Sequence, residues 1–377
     1  MDAFNRSVST GMPAKPERPV RRLKFLDGLR GWGAVVVLLY HVFSDGLPVD
    51  ATVGERLRYF VPFNGTLAVL VFFVVSGFSL SVRYLDDGDI RSWSRIAAGR
   101  YLRLAIPIFA ACLVVHIVMV CGYVDPPAER LPKFGPFFNF APTIGHLLKF
   151  SLFDVFFNYG ALDTYIGPLW TMSIELVGSF VVLLAIVIVR PLPRRPLLLS
   201  GLACLILWLA PTETTAMLAL FPIGSALADC FNRGWIDAIP KPVAVLLLSI
   251  GCLAPVVLPY SVTAWGLIGT LPLVLGCITI PGIRNWLGGT VSAHLGRISF
   301  PLYLMHGPVL CFIGEPLMRH FGDGLPLKVL IQFSVVALSF ASAYAFFPVN
   351  EFAIGIAHRF AKSVTSPFFV SPAPAER

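Results

Sequence analysis

Ten apolar runs decide what this chain can become. They fall near residues 26–44, 65–82, 104–122, 168–189, 197–211, 215–230, 242–258, 264–281, 298–314 and 328–348. A bilayer's hydrocarbon core, about 30 Å thick, calls for about 20 apolar residues per helix. No single soluble core uses so many runs of that length. The composition agrees: 56% of residues are hydrophobic, 13% are charged and the mean hydropathy is +0.77, against about 25% charged in soluble domains. The expected fold is therefore all-α, a polytopic membrane bundle of about ten transmembrane helices. Pro222 and Pro272 interrupt the sixth and eighth runs, which membrane helices tolerate when neighbours satisfy the freed carbonyls.

The net charge of +8 points to orientation rather than to nucleic acid, because the basic residues cluster between apolar runs. With the N-terminus inside, 22 Lys and Arg lie on the cytoplasmic side and 7 on the outer side. That bias places both termini in the cytoplasm. The chain divides into a basic leader (1–25), a transmembrane domain (26–348) and a cytoplasmic tail (349–377) whose end, Ser366–Arg377, reads as disordered. The leader lacks the apolar core and cleavage site of a signal peptide. The seven Cys form no close Cys-x-x-Cys pair, so neither a disulfide framework nor a zinc site is expected. Two outer loops are long, 45–64 and 123–167. The second is rich in Pro, Phe and Tyr and includes a short amphipathic helix near His146–Phe157; its aromatics are expected to pack over an external opening.

Chemistry-bearing residues recur at defined depths. Arg30 and His41 are eleven residues apart, three helical turns plus about 20°, so they share one face about 16 Å apart along the axis. A membrane-embedded ionisable group usually faces protein or a water-filled cavity. In Phe72–Phe78, the small pair Ser76-Gly77 lets a helix or a ligand approach closely. Arg100 and Arg103 are i and i+3, neighbours on one face at the inner membrane entrance. With Arg30 they could hold phosphate, which Arg binds bidentately. Trp170 reads as an interface anchor, which sets Glu175 one to two turns in from the outer face, level with His41; a carboxylate–imidazole pair is expected there. His306 lies about nine residues above Arg297, whereas His116 has no such partner and reads as structural.

Five ordered blocks resemble the acyltransferase-3 family of integral membrane acyltransferases, which O-acylate saccharides and related acceptors. They are Leu26-Asp27-Gly28-Leu29-Arg30-Gly31 with Arg-x10-His to His41; Phe72–Phe78; Arg100-Tyr101-Leu102-Arg103; Leu169–Glu175; and Gly296-Arg297-Ile298-Ser299 with Tyr303-Leu304-Met305-His306. Two positions depart from the family pattern: Leu176 stands where a second acidic residue is common, and Met305 where an aromatic is. The resemblance implies a cytoplasmic acyl-CoA donor, commonly acetyl-CoA, and an outer-face saccharide or polysaccharide acceptor. It implies that His41 is catalytic and that Arg30, Arg100 and Arg103 serve the donor; from the residues themselves, Glu175 and His306 are further catalytic candidates and Ser76 a further donor-side candidate. No metal is expected. The expected location is the inner (plasma) membrane of a bacterium, among its lipids, alone or in a polysaccharide synthesis or export complex. Two rivals remain open on the sequence: a proton-coupled secondary transporter using membrane His and Glu as a relay, and a non-catalytic subunit of an export complex. Three Arg at the cytoplasmic mouth suit CoA phosphates and are not needed by a transporter.

Overall fold

The computed structural model describes residues 23–369; the leader to residue 22 and the end of the tail from residue 370 lie outside the described residues. Among the described residues there is no strand. Eight helices are long and apolar enough to cross a membrane. We number ten helices in chain order: α1 (Lys24–Gly46), α2 (Gly65–Asp87), α3 (Ile90–Val120), α4 (Gly167–Val189), α5 (Arg195–Leu209), α6 (Glu213–Asn232), α7 (Lys241–Val257), α8 (Val262–Thr279), α9 (Thr290–Phe321) and α10 (Leu325–Phe368). All ten expected runs are helical. The fifth and seventh are shorter apolar helices of 15 and 17 residues, about 22–26 Å at 1.5 Å per residue.

The bundle is held by close backbone contacts that only glycine permits. A Cβ on Gly31 would lie 2.5 Å from the Gly296 nitrogen, and one on Gly296 would lie 2.4 Å from the Asp27 carbonyl, so α1 and α9 meet backbone to backbone. The same device joins α2 to α6: a Cβ on Gly77 would lie 2.0 Å from the Phe221 carbonyl, and one on Gly224 would lie 2.0 Å from that of Val74. Small residues serve this purpose in membranes, where lipid tails are as apolar as leucine and dispersion at close range drives association. Gly77 of the Ser76-Gly77 pair is thereby a packing residue. Ser81 and Ser225, 2.6 Å apart, lie within the same α2–α6 contact.

α3 and α10 outrun the membrane. α3 has 31 residues, about 46 Å long. α10 runs without a break through Thr365, well past residue 348, where the last apolar run ends. The extension arises because the two helices cover each other: Gly99 of α3 abuts Ala357 of α10, and Ala353, Ala357 and Ala361 are buried. The segment from residue 349 to Thr365 thus continues the last helix.

Asp229 on α6 is fully buried and lies 3.1 Å from Arg195 and 2.6 Å from Arg233. Arg195 also donates to the Leu85 carbonyl and Arg190 to that of Tyr84. These contacts lock the ends of α2, α4, α5 and α6 that the charge bias places inside.

The long outer loop is packed inward. Its short helical segments span Ile144–Lys149, Phe150–Asp154 and Val155–Phe157, as the amphipathic pattern predicts. Tyr165, Ile166 and Leu169 are buried completely or nearly so. The Tyr165 hydroxyl lies 3.2 Å from His116 Nδ1 and 3.1 Å from His146 Nδ1. Burial pushes the Tyr165 phenol up to about 12 and holds His146 below the ordinary imidazole range, so this contact is a neutral hydrogen bond. His116 is accordingly a tether for the loop.

Candidate functional site

Two groups of polar side chains sit inside the bundle, joined by a file of hydroxyls and rings. The inner group gathers on α2, α3 and α4. Arg100, 8% exposed, pairs with Glu175, 14% exposed, and its Nε donates to Ser179 Oγ at 2.9 Å. Ser76 Oγ donates to the same Glu175 oxygen at 2.9 Å. The charges acting on Arg103 are those of Arg100, Arg30, Glu175 and Asp27, so Arg30 joins this group. Arg103 is exposed and makes no hydrogen bond or ion pair among the described residues.

The inner group is deeper than the sequence spacing suggests. Ser76 is the twelfth of the 23 residues of α2, about 16 Å from either end. Through Ser76 and Glu175, the Arg100 guanidinium therefore lies level with the middle of α2. Glu175 does not pair with His41: it is level with Arg100, on the inner group. The reason is that the chain entering α4 is sunk in the bundle. Trp170 is exposed, whereas Tyr165, Ile166 and Leu169 before it are buried against the bundle.

The outer group centres on His41. At Tyr40 the helix widens into a π-type turn that continues to Gly46, a feature frequent at functional sites. His41 Nδ1 lies 3.4 Å from Asp45 Oδ2, one turn on, and the His41 side chain is 24% exposed. Its ring stacks on His306 with centroids 5.3 Å apart. His306 is 1% exposed. Its Nδ1 is 3.0 Å from the Leu302 carbonyl; a carbonyl can only accept, so that nitrogen carries the proton. Nε2 is then a bare acceptor, and it has no partner among the described residues.

Asp45 and not Glu175 is the carboxylate at His41. The His41-x3-Asp45 spacing is the signal in the sequence, since residues four apart on a helix are neighbours. Two further residues lack any local signal because they come from distant chain. Lys133, on the long outer loop, donates to Asp45 Oδ1 at 2.6 Å. Phe134 beside it is buried against Gly46. The loop is pinned by Glu315, which accepts from the Leu131 amide at 2.8 Å and from Arg319 Nε at 3.2 Å, while Arg319 also pairs with Asp125. The aromatic loop thus closes over the outer end of the site.

The two groups are connected. Gly65, the first residue of α2, lies under the Tyr40 ring, next to His41. From Gly65 to Ser76 is eleven residues, about 16 Å along α2. Between them, the His306 ring is 6.1 Å from that of Tyr303, and the Tyr303 hydroxyl is 2.7 Å from Thr171 Oγ1, one turn from Glu175. The file therefore runs from His41 through His306, Tyr303 and Thr171 to Glu175 and Arg100. Among the described residues no group of His, Cys, Asp or Glu is arranged to hold a metal ion.

Residues 23–347 match the family described as an acyltransferase domain, acyltransferase-3. An acyltransferase of Streptomyces mycarofaciens, MdmB, is 26% identical over 339 residues, covering 80% of this chain and 82% of that protein. No solved structure matches. With the family matched across nearly the whole bundle, the chain belongs to the acyltransferase-3 family and is an integral membrane acyltransferase.

Proposed function

We propose that the protein moves an acyl group, most simply acetyl, from cytoplasmic acyl-CoA to a hydroxyl of a saccharide-bearing acceptor on the outer face. The observation that carries this reading is the file itself: a part-exposed imidazole with a carboxylate on Nδ1 at one end, and an Arg-rich group about 16 Å inward at the other.

Arg103 and Arg30 hold the donor's anionic part. Arg103 has donors to spare, and charge-assisted bonds to phosphate contribute about 1.5–3 kcal/mol each. Arg100 is committed to Glu175 and Ser179, so its part is to position Arg103 and the helices around it. Ser76 and Glu175 complete that support. The thin arm of the donor lies along the file and brings the thioester to His41.

At His41, Asp45 orients the ring through Nδ1 and leaves Nε2 as the base. Imidazole is the side chain most often used as a general base in such transfers. Nε2 takes the proton of the acceptor hydroxyl as its oxygen attacks the thioester carbonyl carbon. The C–S bond then breaks, and the imidazolium returns the proton to the departing thiolate, giving ester and free CoA thiol. Asp45 stabilises the imidazolium in between. His306, a bare acceptor at Nε2, offers a second hydrogen-bond site to the incoming hydroxyl. The step requires no metal.

The test is acceptor-dependent release of CoA thiol by the purified protein in detergent with acetyl-CoA. Wild type releases thiol and forms ester; His41→Ala, folded by size-exclusion profile, does neither. Undiminished transfer by folded His41→Ala overturns the assignment.

A further inference from the structure

A cavity of about 520 Å³ opens beside the outer ends of α2, α4 and α6, apart from the file just described. Phe157, Tyr159, Trp170 and Tyr260 wall it, and Glu213 and Ser173 supply polar atoms. Its lining contains no Lys or Arg. Arg58 lies 6.0 Å over the Tyr260 ring but is held by Glu55 at 3.3 Å. Three lining residues adjoin the site in sequence, one of them Trp170, which precedes Thr171. Thr66 follows Gly65, which carries the Tyr40 ring, and that ring is 5.0 Å from His41's. Ile174 precedes Glu175.

We propose that this cavity is an acceptor subsite, seating a neutral or cationic sugar ring next to the unit that is acylated. The inference rests on the acyl-transfer reading and names the acceptor class for it. The volume is within the range of small-molecule sites, about 300–1,000 Å³. Aromatic walls match the C–H faces of a pyranose while hydroxyls and a carboxylate meet its edge. A hydrocarbon tail would desolvate the Glu213 carboxylate with nothing to offset its charge, which is unfavourable. An anionic sugar would meet the Glu213 carboxylate with no cation in the lining to offset it. The Tyr40 ring packs on Gly65 beside the cavity and on the His41 ring, so in this proposal the ring seated here is not the ring that reacts. The reacting hydroxyl belongs to the neighbouring unit, past Tyr40.

The experiment measures initial rates of transfer from acetyl-CoA to three sets of probes: neutral disaccharides, amino-sugar disaccharides and uronate-containing disaccharides, each with its matching monosaccharide. Wild type, Trp170→Ala and Glu213→Gln are compared. The expected result is transfer to neutral or amino disaccharides and not to uronates. Trp170→Ala raises the disaccharide KM tenfold or more, and leaves the KM for acetyl-CoA and for the monosaccharide unchanged. Glu213→Gln, an exposed conservative change, raises the KM of the amino-sugar probe most. Preferred transfer to uronates, or a disaccharide KM unmoved in both variants, overturns the subsite while the transfer reading stands. Equal KM increases for mono- and disaccharide also overturn it, because the cavity would then seat the reacting ring. If wild type acylates no probe in any set, both readings fail together.

Discussion

Glu175→Gln is the sharpest perturbation of the inner group. It preserves shape and can keep the bond from Ser76, but removes the charge facing Arg100. Both partners are nearly buried, at 8% and 14% exposed, so screening by water is small. Removing one member of a buried ion pair costs about 3–5 kcal/mol, because the survivor is left uncompensated in a low dielectric. Arg100 would keep its bond to Ser179 and a neutral bond to the amide oxygen of residue 175, but no counter-charge at that position. At 1.4 kcal/mol per tenfold, about 3 kcal/mol is a hundredfold loss in the folding equilibrium. Arg100→Met should act similarly. The double variant Arg100→Met/Glu175→Leu carries no stranded charge and should be more stable than either single variant, with a coupling of at least about 2 kcal/mol. Unfolding of the purified protein by SDS titration, read by tryptophan fluorescence, supplies all four values. Additive losses, or a Glu175→Gln loss under about 1 kcal/mol, would refute the reasoning that these two buried charges compensate each other.

Three further outcomes are expected. Arg103→Ala should weaken acetyl-CoA binding by about 1.5–3 kcal/mol with little change in stability, since Arg103 bonds to no described residue; binding in detergent by calorimetry checks this. Asp45→Asn should lower kcat more than the KM for acetyl-CoA, because it removes the charge that stabilises the His41 imidazolium; steady-state kinetics separate the two constants. Gly77→Leu should prevent assembly or destabilise the bundle by more than the about 1–3 kcal/mol usual for overpacking, because the Phe221 backbone stands 2.0 Å from the first added carbon; the melting profile in detergent reports it.

The fold was legible because membrane helices are written in the sequence as length and apolarity, and all ten runs appear as helices. The inner group was legible in its members but not in its depth. Counting from Trp170 set Glu175 in the outer half, whereas its bonds to Ser76 and Arg100 put it level with the middle of α2. That one displacement moves Glu175 from His41 to Arg100. Asp45 was readable from its four-residue spacing to His41. Lys133 was not, since its place over Asp45 depends on Glu315 and Arg319 pinning a loop that precedes them by almost 200 residues. The extension of α10 past residue 348 was equally hidden: only its packing on α3 explains why that amphipathic stretch is helix.

The central claim is transfer across the membrane, with donor handled inside and acceptor outside. Sealed proteoliposomes of known orientation test it. Radiolabelled acetyl-CoA is supplied only on the cytoplasmic side and the free acceptor sugar only on the opposite side, with wild type against His41→Ala. The account predicts labelled ester on the outer-side sugar with wild type, and none with His41→Ala. Label that appears only when both substrates share the cytoplasmic compartment would contradict it.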